Sequence, residues 1–135
     1  MNVDAIREFC MSLPHATEQV QWVRDLVFKV GGKMFCVVNL EPQREEVLMS
    51  FKATEEEFHE LQEVEGIIPA PYMAKNKWVA LQRWDVLPTQ ELKRLVRTSY
   101  QQVYAKLPKK VQAGFGQGRG PSTRRRRTRA APRSG

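Results

Sequence analysis

Residues suited to metal or disulfide chemistry are scarce in this chain, which has two cysteines and two histidines among 135 residues. Cys10 and Cys36 belong to no CxxC pair. That excludes a zinc ribbon and a disulfide framework, and points to buried free thiols in a reducing, cytoplasmic setting. No apolar run approaches the ~18 residues of a membrane span. The first residues, Asn2, Val3 and Asp4, open an amphipathic pattern rather than a basic and then apolar leader. Nucleophile elbows, phosphate loops and histidine-rich zinc motifs are all missing. No catalytic residue, metal or cofactor is therefore assigned, and the expectation is a non-enzymatic protein without a membrane partner.

Acid is missing too, but only from one region. Gly114 to Gly135 holds seven arginines and no Asp or Glu, whereas Met1 to Ala113 balances fifteen basic against fifteen acidic residues. The whole net charge of +7 thus belongs to the last stretch, and the sequence pI near 9.7 describes an appendage. Two regions are expected: a domain over 1–113, large enough to bury a core, and an Arg-rich tail over 114–135. Gly, Arg, Ser and Pro dominate the tail, a composition that does not fold in isolation.

Within the domain, Asn2 caps a helix from Val3 to Leu13 that Pro14 stops. Val20 to Leu40 reads as extended. Gly31-Gly32 divides two strand-like runs there, as a two-residue primed hairpin turn would. That turn sets Val30 opposite Lys33, Lys29 opposite Met34, Phe28 opposite Phe35 and Val27 opposite Cys36. The core face would then carry Leu26, Phe28, Val30, Phe35 and Val37. A third strand covers Val47–Lys52. Thr54, with Glu57 three residues on, begins a second helix that ends at Gly66. Ile67 to Asn76, with Pro69 and Pro71, reads as a loop with apolar anchors. A fourth strand spans Lys77–Trp84, and a helix capped by Thr89 runs to about Leu107, where Pro108 closes the domain. This order suits an α+β fold, an antiparallel sheet with helices packed on one face.

An ordered set of residues carries a resemblance. It comprises the Pro14-His15-Ala16-Thr17-Glu18 turn, the segment Phe28-Lys29-Val30-Gly31-Gly32-Lys33-Met34-Phe35, and Phe51-Lys52 before the capped helix. It continues through Gly66, Pro69, Ala70, Tyr72, Lys75 and Asn76 into Trp78, then Ser99-Tyr100 and Leu107-Pro108. Together these resemble the MmcQ/YjbR family over roughly Val3 to Lys110. The resemblance implies a double-wing α+β domain of frataxin-like architecture. It also implies DNA binding, the usual label of that family, although a label is not a site.

Four groups of residues are weighed for chemistry. If Val79 and Leu81 face the core, Trp78, Gln82 and Trp84 share the other sheet face with Lys29, Ser50 and Lys52, and Lys75 and Lys77 lie at its rim. Ammonium groups beside an indole can hold phosphates and stack bases, each stack worth ~1–3 kcal/mol; the bland alternative buries Trp78 and Trp84 under the 67–72 loop. Lys29 and Lys33 flank a hairpin that could touch phosphate as a wing. Arg119, Arg124, Arg125, Arg126, Arg127 and Arg129 form a polyanion-seeking arm. Glu55, Glu56, Glu57, His59, Glu60 and Glu63 could hold a divalent ion, but glutamates in a first helical turn also serve the helix dipole. Finally, His15 with Glu18 or Asp25 could form an acid–base pair, or simply be a loop histidine.

The reading that results is a nucleic-acid-binding protein, with DNA (or RNA) as partner and little sequence preference. Its binding residues would be Lys29, Lys33, Lys52, Lys75, Lys77, Trp78 and the six arginines named above. The alternative is a protein-interaction or small-ligand-binding module with the tail incidental; an apolar cleft beneath Trp78 would favour it.

Overall fold

The Asn2 side chain accepts the Ala5 amide at 2.8 Å and so satisfies one of the free donors at the start of α1 (Val3–Ser12). The helix ends before Pro14, and His15 (φ 63°) then turns the chain straight into a strand. The computed structural model describes residues 1–22, 24–42, 47–71 and 73–116. After α1 come β1 (Ala16–Gln21), β2 (Asp25–Val30), β3 (Lys33–Asn39), β4 (Met49–Lys52), α2 (Glu55–Leu61), β5 (Ile67–Pro69), β6 (Trp78–Leu81) and α3 (Thr89–Ala105). A short 3₁₀ turn, Ala74–Asn76, leads into β6.

The strands form one antiparallel sheet in the order β1-β2-β3-β4-β6-β5. The fold is α+β, with α1 and α3 packed against the meander and α2 against β5 and β6. Several boundaries differ from the sequence expectation, among them the end of the Lys77–Trp84 strand, which stops at Leu81. The first strand begins at Ala16, not Val20, because the left-handed His15 completes the turn at once. The second helix stops at Leu61, and Glu63 and Val64 tighten into a turn through bonds to the Glu60 and Leu61 carbonyls. The Ile67–Pro69 stretch, expected as loop, is a short edge strand on β6, where a proline is tolerated because one side of the ladder is unpaired. Gly66 between these elements has φ 95°, and a Cβ there would sit 2.5 Å from Val86 Cγ1, so both conformation and space require glycine.

Gly31 and Gly32 both have positive φ (59° and 81°), as a primed hairpin requires, and Val30 faces Lys33 as expected. Two residues later the register departs from the expectation. Phe28 pairs with Cys36 rather than Phe35, and Val27 with Val37, because Phe35 is an extra residue in a β-bulge. Phe35 and Cys36 consequently both face the helices. The Phe35 ring meets Tyr100 edge-on at 5.3 Å, and the Cys36 thiol interacts with Cys10 of α1. The shift of parity sends Val37, expected in the core, to the opposite face of the sheet.

Met1–Ala105 form one compact unit. Lys106 onward belongs to a second, whose described part contains α4 (Lys109–Gly116). Pro108, expected to close the domain, instead opens this helix: its carbonyl accepts the Val111 and Gln112 amides at 2.9 and 3.1 Å. Gly114–Gly116, expected to belong to the tail, finish the helix.

Candidate functional site

Strand register brings the five lysines to one end of the sheet. Lys29 and Lys33 flank the β2–β3 turn, and Lys52 ends β4 beside the start of β3. Lys52 pairs with Trp78 at the start of β6, immediately after Lys75 and Lys77. Lys29 and Lys52 share the sheet face of Val37 and Ser50, as alternation along β2 and β4 requires. Local contacts fix several of these side chains. Lys29 Nζ donates to Gln19 Oε1 at 3.3 Å and Lys52 Nζ to the Asn76 carbonyl at 2.8 Å, while Lys77 Nζ lies 5.2 Å from the centre of the Phe58 ring. Lys33 and Lys75 are exposed. An ammonium has three donors, so an amino group with one protein partner retains capacity for phosphate.

Trp78 does not join them as a stacking surface. It is on the expected face but only 5 % exposed, packed with Ala70 and Ala80 and bordered by Ile68 and Met73. The 67–71 segment, pinned to β6 as β5, is what covers it. Gln82 and Trp84 lie beyond the end of β6. Arg119, Arg124, Arg125, Arg126, Arg127 and Arg129 lie outside the described residues, as does Tyr72.

The two other constellations resolve into local structure. Thr54 accepts the Glu57 amide at 3.1 Å as a cap, and one Glu57 oxygen meets Arg94 at 3.3 Å. His59 sits edge-on to Phe58. Among the described residues no group of three or more His, Cys, Asp or Glu is placed to hold a metal ion. Glu18 is engaged twice by Arg7, at 2.7 and 2.6 Å, and that guanidinium holds its carboxyl below the usual range. Asp25 stands at the far end of β2 from His15, since Ala16 pairs with Val30 and Gln21 with Asp25. No helix of the described residues is long and apolar enough to cross a membrane.

A cleft of about 690 Å³ opens on the sheet face away from α1 and α3. Its floor includes Val37 and Ser50; Ile68, Ala70, Pro71 and Met73 bound it on one side, and Val47 and Leu48 on another. Trp22, Arg24, Asp25 and Asn39 stand around it, with Trp22 65 % exposed. Sequence reasoning placed Ser50 on this face and named an apolar cleft beneath Trp78 as the mark of the alternative reading, but did not assign a cavity to these residues. The available signal was composition: with α1 and α3 on the core side, a second face carrying Met34, Ser50 and Ala80 beside Trp78 is too apolar and too small in side-chain volume to be plain solvated surface.

The YjbR family model matches residues 11–102. The chain belongs to the YjbR family. The match runs from α1 into α3 and takes in the five lysines and the cleft alike. Among solved structures, Deinococcus radiodurans protein DR2400, which carries the DUF419 family domain, is similar. It is 29 % identical with a TM-score of 0.75, over 85 % of this chain and 88 % of that one. A Pseudomonas syringae protein shares the fold at 19 % identity and a TM-score of 0.64, covering 76 % of this chain and 99 % of its own. No curated protein matches the chain.

Proposed function

We propose that this YjbR-family protein is a non-enzymatic nucleic-acid-binding protein that engages duplex DNA with little sequence preference. The observation that carries the reading is the gathering of Lys29, Lys33, Lys52, Lys75 and Lys77 at one end of a sheet, in a domain whose total charge is balanced. Fixed ammonium groups at a hairpin and a neighbouring turn suit phosphate contacts, which orient a protein without reading bases. Glu55 and Glu56 follow Lys52 at the start of α2 and weaken the local field. Most of the affinity therefore falls to the arginines after residue 118, with four in a row at 124–127. With Trp78 buried, it offers no stacking platform beside the lysines, which leaves phosphate contacts to carry the binding there.

Salt-dependent titration separates the parts. If the arginine arm neutralises about five phosphates, it alone should contribute a log–log salt slope near −4.5, to which lysine contacts add. The chain ended after Gly116 should lose most of its affinity for duplex DNA at moderate salt. Undiminished binding would move the work to the lysine end alone. Failure of the full chain to bind DNA or RNA even in dilute buffer would overturn the reading.

A further inference from the structure

The open-face cleft is separate from the lysine end in chemistry, and the nucleic-acid reading leaves it unused. Its lining is dominated by Met34, Val37, Val47, Ile68, Ala70 and Met73, residues only partly buried except Ala70. A volume near 690 Å³ is within the range of small-molecule sites, ~300–1,000 Å³. Methionines at such a surface adapt their unbranched chains to different shapes.

One observation points to a ligand rather than to bare apolar surface. Ser50 is only 9 % exposed, lies in the cleft wall, and its hydroxyl makes no hydrogen bond among the described residues. Ser50 is in the cleft lining and its oxygen is not sealed in the core, so a bound molecule can reach it. The neighbouring groups on the same face, Val37 and Ala80, pair with Ser50 across the ladder and offer nothing to their side. At the rim Arg24 and Asp25 carry opposite charges, so the cleft has no net charge to select an ion. Asn39 is committed to the Val47 carbonyl and the Glu41 amide. A peptide would bring several backbone donors and acceptors into the cleft, each needing a partner there. A single available hydroxyl in an apolar wall suits a smaller molecule.

We propose that this cleft binds an uncharged, largely apolar small molecule carrying one hydrogen-bonding group, which meets the Ser50 hydroxyl. N-phenyl-1-naphthylamine, apolar with a single N–H, is a direct probe of that chemistry. Titrated into the full-length protein, it should bind saturably with one site and an enhanced emission. In amide spectra of the same titration, Val37, Ser50, Ile68 and Ala80 should shift, and Ile6, Leu92 and Val96 of the helices should not. Ser50→Val, which introduces a β-branched residue suited to the strand, should weaken the probe roughly three- to tenfold by removing one hydrogen bond. Met34→Trp should fill the cleft and abolish saturable binding.

Non-saturable binding, a probe that shifts only residues outside the cleft, or unchanged affinity in a folded Ser50→Val protein would each overturn the proposal. So would concentration-dependent shifts at Val37 and Ser50 without probe, since they would make a second copy of the chain the occupant. The wild-type shift map decides the matter even if a variant fails to fold. Its outcome is independent of DNA binding, which the salt titrations above read separately.

Discussion

The Ser99 hydroxyl donates to the Phe35 carbonyl at 2.6 Å, at the bulge of β3, and accepts the Lys52 amide at 3.0 Å. Ser99 is fully buried on α3, so one side chain from the helix layer satisfies two strand groups that the ladder leaves over. The bulge that turns Val37 toward the cleft is therefore held from behind by a helix.

Ser99→Ala should destabilise the domain by about 2–3 kcal/mol, because a buried carbonyl and a buried amide both lose their partner. Urea unfolding would show a lower midpoint with an unchanged slope. A loss under ~0.5 kcal/mol would mean that water replaces the hydroxyl.

Tyr100, next on the same helix, donates its hydroxyl to the Pro14 carbonyl at 2.6 Å. Burial, with Tyr104 close by, pushes the phenol up to about 12. Its folded value lies above the ordinary value near 10 of an unfolded chain, so between pH 10 and 12 the unfolded state gives up its proton first. The contribution is whole below pH 10 and is lost as pH rises toward 12, up to about 2–3 kcal/mol in all. Tyr100→Phe should abolish that part of the alkaline loss and cost about 1 kcal/mol at neutral pH, read from unfolding midpoints across the range.

Why some of this was legible and some was not follows from particular residues. Asn2, Pro14, Thr54 and the Gly31-Gly32 pair act locally, through caps, a blocked amide and positive φ, so sequence alone located α1, the start of α2 and the hairpin. The bulge at Phe35 is enforced by Ser99, sixty-four residues away, and nothing local distinguishes Phe28–Phe35 from Phe28–Cys36 pairing. That single slip put Val37 in the wrong layer. From sequence alone β5 reads as loop, because Pro69 argues against a strand until its edge position is known. The same pairing buries Trp78, so the aromatic half of the expected binding face was lost while its lysines stayed grouped. Alternation alone reveals which residues share a face, but not whether a neighbouring loop lies over it. Ser99 and Tyr100 entered the family resemblance as sequence marks, and their role in the molecule is structural.

Cys10 and Cys36 are both free and fully buried between α1 and β3, and burial above all, with the Cys10 contact, drives the Cys36 thiol well above its ordinary range. Only the thiolate attacks a disulfide reagent. The native protein at pH 8 should thus show negligible reaction of either thiol with Ellman's reagent over the time in which both react fully in denaturant. Rapid modification without denaturant would mean that α1 opens from the sheet in a local step, far below the cost of global unfolding.

The lysine end makes a prediction that composition cannot make. Lys52 and Lys77 also have structural contacts, to the Asn76 carbonyl and the Phe58 ring, so the clean test uses Lys29, Lys33 and Lys75. Changing these three to Gln in the full-length chain should leave stability within ~0.5 kcal/mol, since two are exposed and the third has only a weak contact to Gln19. If each touches one phosphate, the log–log salt slope should become shallower by roughly 2–3. Replacing Arg124–Arg127 by Gln should make it shallower by a further ~3–4, because independent phosphate contacts add. An unchanged slope in the lysine variant, with the arginine variant reduced, would leave the arm as the whole interface and the domain as its carrier. An unchanged slope in the arginine variant would reverse those roles.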